Sequence, residues 1–225
     1  LALKPNNLSM EEAASIPLVG LTSWQALVEI SKLKKGQKVF IQAGSGGVGT
    51  FAIQLAKHLG AYVATTTSST NIQLVKSLGA DLAIDYKKEN FATILKDYDV
   101  VLHSNKDPKV LKSSLLVLKQ GGTLVSLTGP PTPEFARQIG LGWHIQILTG
   151  LLSMRVRKKA KKLGVNFKFL FMRAEGKQLG EITNLIEAGK IRPIIDKVFP
   201  FEEVNEAMSY VETGRAKGKV VIKLD

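Results

Sequence analysis

The chain has 225 residues, no cysteine, three histidines and a formal net charge of +12 at pH 7. The lack of cysteine excludes disulfides, a cysteine nucleophile and cysteine-ligated zinc. The histidines are too far apart in sequence to suggest a ligand cluster, so we expect no metal site. No apolar run approaches the roughly 18 residues of a membrane span, and the N-terminus lacks a signal pattern. The composition therefore predicts a globular cytoplasmic protein without a membrane partner.

The positive charge has two interpretations. Its densest run is Arg155–Lys162, which carries six basic side chains. Such a run either attracts a polyanion, such as nucleic acid, or forms a solvated surface. Because no aromatic residues are interleaved for base stacking, we favour the solvated surface and expect no nucleic-acid partner.

Two helices are predicted before the first strand. Ser9 and Glu12 have the spacing of a capping box, which predicts a short helix that Pro17 ends. A second helix is predicted over Ser23–Ser31, and it leads to the first strand, Lys38–Gln42.

A glycine-rich turn follows this strand and opens a helix. Gly44, Gly46 and Gly49 satisfy the pattern G-x-G-x-x-G. The first glycine allows a tight turn, the second a close approach of a pyrophosphate, and the third close packing of helix on strand. The helix N-terminus offers free N–H groups to the phosphates. The loop therefore predicts a dinucleotide site, with a plain structural turn as the alternative.

Strand-like and helix-like segments then alternate. Predicted strands cover residues 62–66, 82–84, 99–103, 123–127, 166–171 and 194–199. Predicted helices cover residues 71–78, 91–96, 108–118, 141–154, 175–188 and 201–208. Strands separated by helices of this kind form right-handed βαβ units. The fold class predicted is α/β, with the doubly wound parallel sheet of a Rossmann dinucleotide-binding domain.

The last predicted strand, Gly218–Leu224, has no obvious partner in that sheet. We expect this strand and residues 1–20 to pair with something outside the doubly wound core. The chain is accordingly divided into a residual segment 1–20, a dinucleotide-binding domain 21–200 and a C-terminal helix and strand 201–225. An open sheet edge is a surface through which two chains can pair, so a homodimer is one expected state.

The segment after the second predicted strand indicates which cofactor binds. In NAD-specific folds an acidic residue about 20 residues past the glycines binds the ribose 2′-hydroxyl. Here residues 65–69 read Thr-Thr-Thr-Ser-Ser and hold no carboxylate that would repel a 2′-phosphate. This predicts NADP(H), with an ordinary threonine-rich strand end as the alternative.

Five segments occur in the order that a known family shows. They are AGSGGVG at 43–49, LGAD with IDY at 78–86, KQGG at 119–122, AGKIRP at 188–193 and GRAKGKVV at 214–221. In these segments the chain resembles the medium-chain dehydrogenase/reductases. Within that superfamily it is similar to the zinc-free quinone oxidoreductase branch, which includes the relatives of reticulon-4-interacting protein.

The resemblance implies where the phosphates of the cofactor bind. The residues that would hold the pyrophosphate are Ser45, Gly46, Gly47 and Val48. Ser68 and Tyr86 would take the adenosine ribose and its 2′-phosphate. The ordinary alternative for Tyr86 is a half-buried aromatic at a strand end.

The resemblance also implies the surroundings of the nicotinamide. Thr22 would lie near it, while Leu127 and the backbone of Phe169–Phe171 would border the ring. A helix cap is the alternative role for Thr22, and core packing is the alternative for Phe169 and Phe171.

The chain departs from the family pattern at two places. Thr70 and Asn71 stand where many relatives have a lysine or arginine, so NADP preference would rest on Ser68, Tyr86 and distant lysines. After the fourth strand relatives read Asp-x-Val-Gly-Gly, whereas residues 103–107 read His-Ser-Asn-Lys-Asp. We therefore expect a different loop shape beside the cofactor.

The resemblance implies an NADPH-dependent oxidoreductase that passes a hydride to a quinone, an enone or a related carbonyl acceptor. Family members carry an N-terminal barrel-like catalytic domain before the point that matches Leu1, and that domain supplies the substrate pocket. We therefore expect this segment alone to be inactive and assign no catalytic residue. The alternative is a non-catalytic NADP(H)-binding module.

Overall fold

A computed structural model describes residues 1–224 and contains a six-stranded parallel sheet in the order β3-β2-β1-β4-β5-β6. The strands are β1 Lys38–Ile41, β2 Tyr62–Thr67, β3 Leu82–Asp85, β4 Tyr98–His103, β5 Leu118–Ser126 and β6 Asn166–Phe169. All neighbouring pairs run parallel, and the order reverses direction between β1 and β4. The predicted α/β doubly wound fold is confirmed.

Ten α-helices accompany the strands in residues 1–224. They are α1 Met10–Ala14, α2 Pro17–Trp24, α3 Gly47–His58, α4 Ile72–Ser77, α5 Phe91–Ile94, α6 Pro108–Leu116, α7 Pro133–Gln138, α8 Trp143–Lys162, α9 Gly176–Glu187 and α10 Val204–Glu212. None of them combines the length and the apolar character needed to cross a membrane.

Each face of the sheet carries its own hydrophobic core, because alternate side chains of a strand point to opposite faces. In β1, Val39 and Ile41 belong to a core that also contains residues of α2, α3 and α9. Phe40 lies between them in sequence and belongs to a second core, which contains residues of α6 and α8. Both faces are covered, as in other parallel sheets.

The N-terminal helices differ from the prediction. Ser9 does cap α1 in a capping box, but Pro17 begins α2 rather than only ending α1. Proline suits the first position of a helix because its missing N–H would have no intrahelical acceptor there. The chain continues from α2 into a π-helical segment over Gln25–Ile30, so the predicted start at Ser23 was wrong.

Three later segments also differ. Strand β5 begins at Leu118 and passes through Gly121, whose φ of +78° suits glycine. Helix α7 was not predicted, and α8 extends through the basic run instead of ending at Met154. Strand β6 ends at Phe169, so Phe171 lies beyond it.

The last strand does not join the main sheet, and its partner is a strand of the segment that was assigned to the dinucleotide-binding domain. Strand β8, Lys219–Lys223, pairs in parallel with β7, Ile195–Pro200. A further parallel bridge joins Gly218 to Gly46 in the glycine loop. The C-terminal segment therefore packs against the first βα connection of the sheet.

Candidate functional site

The glycine loop lies at the carboxyl end of β1, where the strand order reverses. Crevices at such switch points are where open α/β sheets bind ligands. A Cβ on Gly44 would collide with the Thr65 side chain of β2, and one on Gly49 would lie 2.7 Å from the Gly44 Cα. These two glycines therefore allow the tight turn and the close packing of α3 against the loop.

Gly46 has a different environment. A Cβ placed there would make one tight contact, with the Ala43 carbonyl oxygen at 3.3 Å, and would meet no other atom within 4 Å, so the space beside its Cα is open except on that side. Gly46 is also the N-cap of α3, and the first turn of this helix has no acidic residue. The N–H groups of Gly47 and Val48 belong to that first turn, where a helix provides no acceptor. This combination suits a phosphate group lying against the backbone.

Ser45 is held by two neighbours that the sequence prediction missed. Its Oγ accepts a hydrogen bond from Thr67 Oγ1 at 3.0 Å and one from Asn71 Nδ2 at 3.2 Å. Because a hydroxyl oxygen accepts two hydrogen bonds and donates one, the Ser45 proton is left to donate elsewhere. Its carbonyl oxygen accepts from the Gly218 N–H at 2.8 Å.

The carboxyl end of β2 is rich in hydroxyl groups. Ser68 Oγ lies 3.0 Å from Thr70 Oγ1. Tyr86 is 59% exposed, and its N–H donates to the Thr67 carbonyl oxygen at 3.2 Å. Ser68 and Tyr86 therefore lie at the ends of neighbouring strands, β2 and β3.

The acidic residue nearest to this hydroxyl-rich region is Asp85, at the end of β3. It is 3% exposed and accepts hydrogen bonds from Ser69 Oγ and from the Lys87 N–H. The hydrogen bond from Ser69, followed by the smaller effect of the one from the Lys87 N–H, holds the pKa of Asp85 below its usual value. The carboxylate is thus occupied in fixing the Ser68–Asn71 turn.

The residues predicted near the nicotinamide occupy different elements. Thr22 is buried in α2, where its Oγ1 donates to the Leu18 carbonyl oxygen at 2.6 Å. Leu127 follows β5, and its N–H donates to the His103 carbonyl oxygen at 2.9 Å. The hydroxyl of Thr22 is therefore engaged within its own helix, which leaves its oxygen as an acceptor.

Phe169 and Phe171 form an aromatic group with Phe135 of α7. The ring centroids of Phe135 and Phe169 are 5.0 Å apart in an edge-to-face arrangement, and those of Phe135 and Phe171 are 6.3 Å apart. Phe169 is half-buried, whereas Phe171 is 72% exposed. The interpretation of Phe171 as a core residue is therefore wrong.

The loop after β4 is built without the family's glycine pair. Asn105 Oδ1 accepts from the Asp107 N–H at 2.7 Å, and the Asn105 carbonyl oxygen accepts from Thr128 Oγ1 at 2.7 Å. Side-chain hydrogen bonds of this kind make an Asx turn. The turn leads into α6, which Asp107 caps.

His103 ends β4 and is buried. Its Nδ1 lies 3.0 Å from Ser126 Oγ, and its Nε2 has no hydrogen-bond partner among residues 1–224. Burial lowers the pKa of His103 to about 4, so the ring is neutral at neutral pH. In the described part of the chain no group of three or more His, Asp or Glu side chains is placed to hold a metal ion.

Comparisons with known proteins agree with this geometry. Residues 78–222 match the family model described as "Zinc-binding dehydrogenase". The chain is 39% identical over 227 residues to the 2-methylene-furan-3-one reductase of Solanum lycopersicum, covering 99% of this chain and 49% of that protein. It is 39% identical to the mitochondrial NAD(P)H oxidoreductase RTN4IP1 of Mus musculus, covering 98% of this chain and 57% of that protein.

A solved structure is similar over almost the whole chain. The quinone oxidoreductase from Coxiella burnetii superposes with a TM-score of 0.83 at 33% identity, over 99% of this chain and 63% of that chain. The chain spans about half the length of the curated relatives it matches.

Proposed function

Because the chain belongs to the quinone oxidoreductase-like branch of the medium-chain dehydrogenase/reductase superfamily, we propose that it is the cofactor-binding portion of an NADPH-dependent oxidoreductase. When bound, the dihydronicotinamide supplies a hydride. The proposed acceptor is an enone, a quinone or a related carbonyl compound. The contribution of the chain is to bind and orient the cofactor.

The open space beside Gly46 is the observation that carries this proposal. It lies at the start of α3, next to Gly47 and Val48 and to the free proton of Ser45. A pyrophosphate needs close approach to backbone N–H groups and no competing carboxylate. The residues around Gly46 therefore fit a bound pyrophosphate.

The preference for NADPH over NADH is proposed from the end of β2. An NAD-specific site uses a carboxylate to accept from the ribose 2′-hydroxyl. Here Ser68 occupies that end. The buried carboxylate of Asp85 accepts hydrogen bonds from Ser69 and from the Lys87 N–H, and the Glu89 carboxylate accepts from the Asp85 N–H. A 2′-phosphate at this end would meet the Ser68 hydroxyl and the exposed Tyr86. Lys88 Nζ lies 3.9 Å from Asp85 Oδ2 and offsets the charge of that buried carboxylate.

The proposed acceptor class comes from the relatives. One relative in Arabidopsis thaliana, 36% identical to this chain, is named an NADPH-dependent alkenal/one oxidoreductase. In this chain the residues proposed to border the nicotinamide are Thr22, Leu127, Phe169 and Phe171. A protein whose acceptor is reduced by a hydride also needs a proton source, and we assign none to this chain.

Calorimetric titration of the 225-residue chain with NADPH and NADH tests the cofactor. We expect NADPH to bind at least tenfold more tightly. Equal affinity would contradict the preference, and no heat with either nucleotide at millimolar concentration would contradict the function.

Consumption of NADPH with a small enone or a benzoquinone tests the acceptor separately. We expect the chain to bind NADPH without turnover unless the rest of a full-length relative is supplied. Turnover by the chain alone would show that it contains its own substrate site. If NADPH binds but neither acceptor is reduced, even when the rest of a full-length relative is present, the alternative of a non-catalytic NADP(H)-binding module is favoured.

A further inference from the structure

The carboxyl ends of β4 and β5 carry a hydrogen-bonded pair of buried side chains. His103 and Ser126 are 1% and 0% exposed, and they are partners in the register of the two parallel strands. His103 Nδ1 lies 3.0 Å from Ser126 Oγ. His103 is also the first residue of the segment that departs from the family pattern after β4. The pair therefore belongs to a part of the chain that the resemblance does not explain.

The Ser126 hydroxyl also fixes the turn that follows β5. Its oxygen accepts a hydrogen bond from the Gly129 N–H at 2.8 Å. A Cβ on Gly129 would lie 2.7 Å from this oxygen and 3.3 Å from Phe167 Cζ, so a larger residue would push the turn away from the hydroxyl. Because a hydroxyl oxygen accepts two hydrogen bonds and donates one, Ser126 can bind the imidazole and the Gly129 N–H at the same time.

Only one nitrogen of the His103 ring takes part in this network. Its Nε2 is buried and has no hydrogen-bond partner in the part of the chain that the structure describes. A buried polar atom without a partner is unfavourable, and an apolar side chain of similar size would avoid that cost. Stability therefore does not account for a histidine at this position, whereas the contact of Nδ1 with Ser126 does.

Backbone hydrogen bonds join the same pair to the residues proposed to border the nicotinamide. The His103 carbonyl oxygen accepts from the Leu127 N–H at 2.9 Å, and the Ser126 carbonyl oxygen accepts from the Leu170 N–H at 2.9 Å. Phe169 is the register partner of Ser126 in β6. Leu127 and the segment Phe169–Phe171 are thus both anchored to the His103–Ser126 pair.

Further hydrogen bonds tie the end of β4 to the glycine loop. Gln42 directly precedes this loop; its Oε1 accepts from the Ser104 N–H, and its carbonyl oxygen accepts from Ser104 Oγ, both at 3.3 Å. The Gln42 side chain is itself held, because its Nε2 donates to Ser114 Oγ of α6 at 2.8 Å. The turn after β5 therefore has a fixed position relative to the proposed pyrophosphate site.

We propose that His103 and Ser126 are positioning residues that hold the turn Leu127–Gly129 in place beside the nicotinamide half of bound NADPH. The inference rests on the proposed function, since it assumes that the nicotinamide lies at Leu127 and Phe169–Phe171. Both side chains are buried, so they act on the cofactor through the backbone of the turn.

The sheet order confines the proposed effect to one half of the cofactor. Ser68 and Tyr86, the residues proposed for the 2′-phosphate, follow β2 and β3, which lie on the far side of β1 from β4 and β5. Loosening the turn after β5 should therefore weaken the contacts of the nicotinamide and leave those of the 2′-phosphate intact.

Titration of the 225-residue chain with two nucleotides separates these halves. 2′-Phospho-ADP-ribose lacks the nicotinamide ring of NADPH and reports only the remaining contacts. Ser126→Ala leaves both the Gly129 N–H and the imidazole without their partner. We expect it to weaken NADPH binding about tenfold and to change the affinity for 2′-phospho-ADP-ribose by less than about twofold.

Ser153→Ala is the matched control for this variant. Ser153 is as fully buried as Ser126, but its hydroxyl donates to the Thr149 carbonyl oxygen within α8. The control removes the same group from the same kind of environment, away from the turn. It should leave the affinities for both nucleotides unchanged.

Two variants of His103 test whether Nδ1, rather than the bulk of the ring, positions the turn. Asparagine places an amide atom near the position of Nδ1, whereas leucine fills a similar space without a polar atom. We expect His103→Leu to weaken NADPH binding about fivefold, and His103→Asn to bind NADPH within about twofold of the wild type. Equal weakening by the two variants would overturn the role of Nδ1.

The fluorescence anisotropy of bound NADPH gives a readout that a loss of stability alone does not move. At saturating protein it measures how firmly the dihydronicotinamide is held. It should fall in Ser126→Ala and His103→Leu and keep its wild-type value in His103→Asn and Ser153→Ala. Circular dichroism checks that the variants are folded, and Ser126→Ala still decides the matter should His103→Leu not fold.

The outcomes separate this inference from the proposed function. If the wild type binds neither nucleotide, the proposed function fails and the inference fails with it. If the wild type binds both and Ser126→Ala weakens both equally, the proposed function stands and the positioning role is overturned. Unchanged NADPH affinity in Ser126→Ala would overturn it as well.

Discussion

The glycine loop and helix α8 differ in how far contacts within the chain explain which residues they contain. In the loop, Gly44 and Gly49 each lie against backbone or side-chain atoms that leave no room for a Cβ. On helix α8, several large apolar side chains are exposed, among them Trp143, Ile147 and Leu151. Contacts within the chain explain the glycines of the loop, whereas they do not explain why the apolar side chains of α8 are exposed.

Within the loop itself, Gly46 differs from its neighbours. Apart from the Ala43 carbonyl oxygen at 3.3 Å, no atom lies within 4 Å of a Cβ added there, and its φ of −81° suits any residue. Contacts within the chain therefore explain this glycine only in part, and we attribute the rest to a bound ligand. Substitutions can separate residues that folding requires from residues that binding requires.

Gly49→Ala should have the largest effect on stability. Its Cβ would lie 2.7 Å from the Gly44 Cα and collide with the Ala43 carbonyl oxygen. Because backbone atoms cannot move aside as a flexible side chain can, we expect a loss of about 3 kcal/mol or more in the free energy of unfolding. Urea denaturation measures the free energy of unfolding, and a loss below about 1 kcal/mol would show that α3 does not pack closely against residues 43 and 44.

Lowering the pH should destabilise the fold through His103. Its pKa is about 4 in the folded protein, against about 6.5 when unfolded. Between these values the unfolded state binds a proton that the folded state does not, so stability falls as the pH falls through this range. The loss is about 1.4 kcal/mol per pH unit, or about 2 kcal/mol between pH 6.5 and 5.

His103→Asn isolates this effect because an amide does not titrate. Denaturation of both proteins at pH 6.5 and pH 5 should show a steeper loss in the wild type. Equal slopes would mean that the imidazole is already solvated in the folded protein.

Gly218→Ala should loosen the C-terminal segment from the loop. Its φ of +74° disfavours a side chain, and its Cβ would collide with the Ile194 carbonyl group. We expect a loss of about 2 kcal/mol from strain and overpacking. Hydrogen exchange should show faster exchange in β7 and β8, while the six-stranded sheet stays protected. Uniform loss of protection would show that the two sheets unfold together.

Asn71→Ala should have the smallest effect. It removes one of the two donors that orient the Ser45 hydroxyl, so we expect NADPH affinity to fall about fivefold, or about 1 kcal/mol. Ser77→Ala is the control, because its hydroxyl donates only to the Leu74 carbonyl oxygen. If the two variants bind NADPH equally well, Asn71 does not orient Ser45.

The sequence could predict the glycine loop because its parts are adjacent. Gly44, Gly46 and Gly49 lie within six residues, so strand, turn and helix are visible as one local pattern. The contact of Asn71 with Ser45 spans 26 positions, and no local pattern encodes it. Pro17 was misinterpreted because proline both ends one helix and suits the start of the next.

The pairing of strands that are distant in sequence could not be predicted either. Strands β7 and β8 form a separate parallel pair, and the residues of β8 do not indicate which edge they join. The apolar residues 141–154 were predicted as a helix-like segment, but only the burial of Thr149 and Ser153 shows which side of α8 faces the protein.

The central claim is that the open space at Gly46 receives the cofactor pyrophosphate, and a titration with NADPH of two variants tests it most directly. Gly46→Ala adds one methyl group at the loop, and Gly180→Ala adds one on α9, where a Cβ would meet nothing within 4 Å. We predict that Gly46→Ala remains folded but loses at least tenfold in NADPH affinity, while Gly180→Ala binds as the wild type does. Equal NADPH affinity of Gly46→Ala and the wild type would contradict the claim.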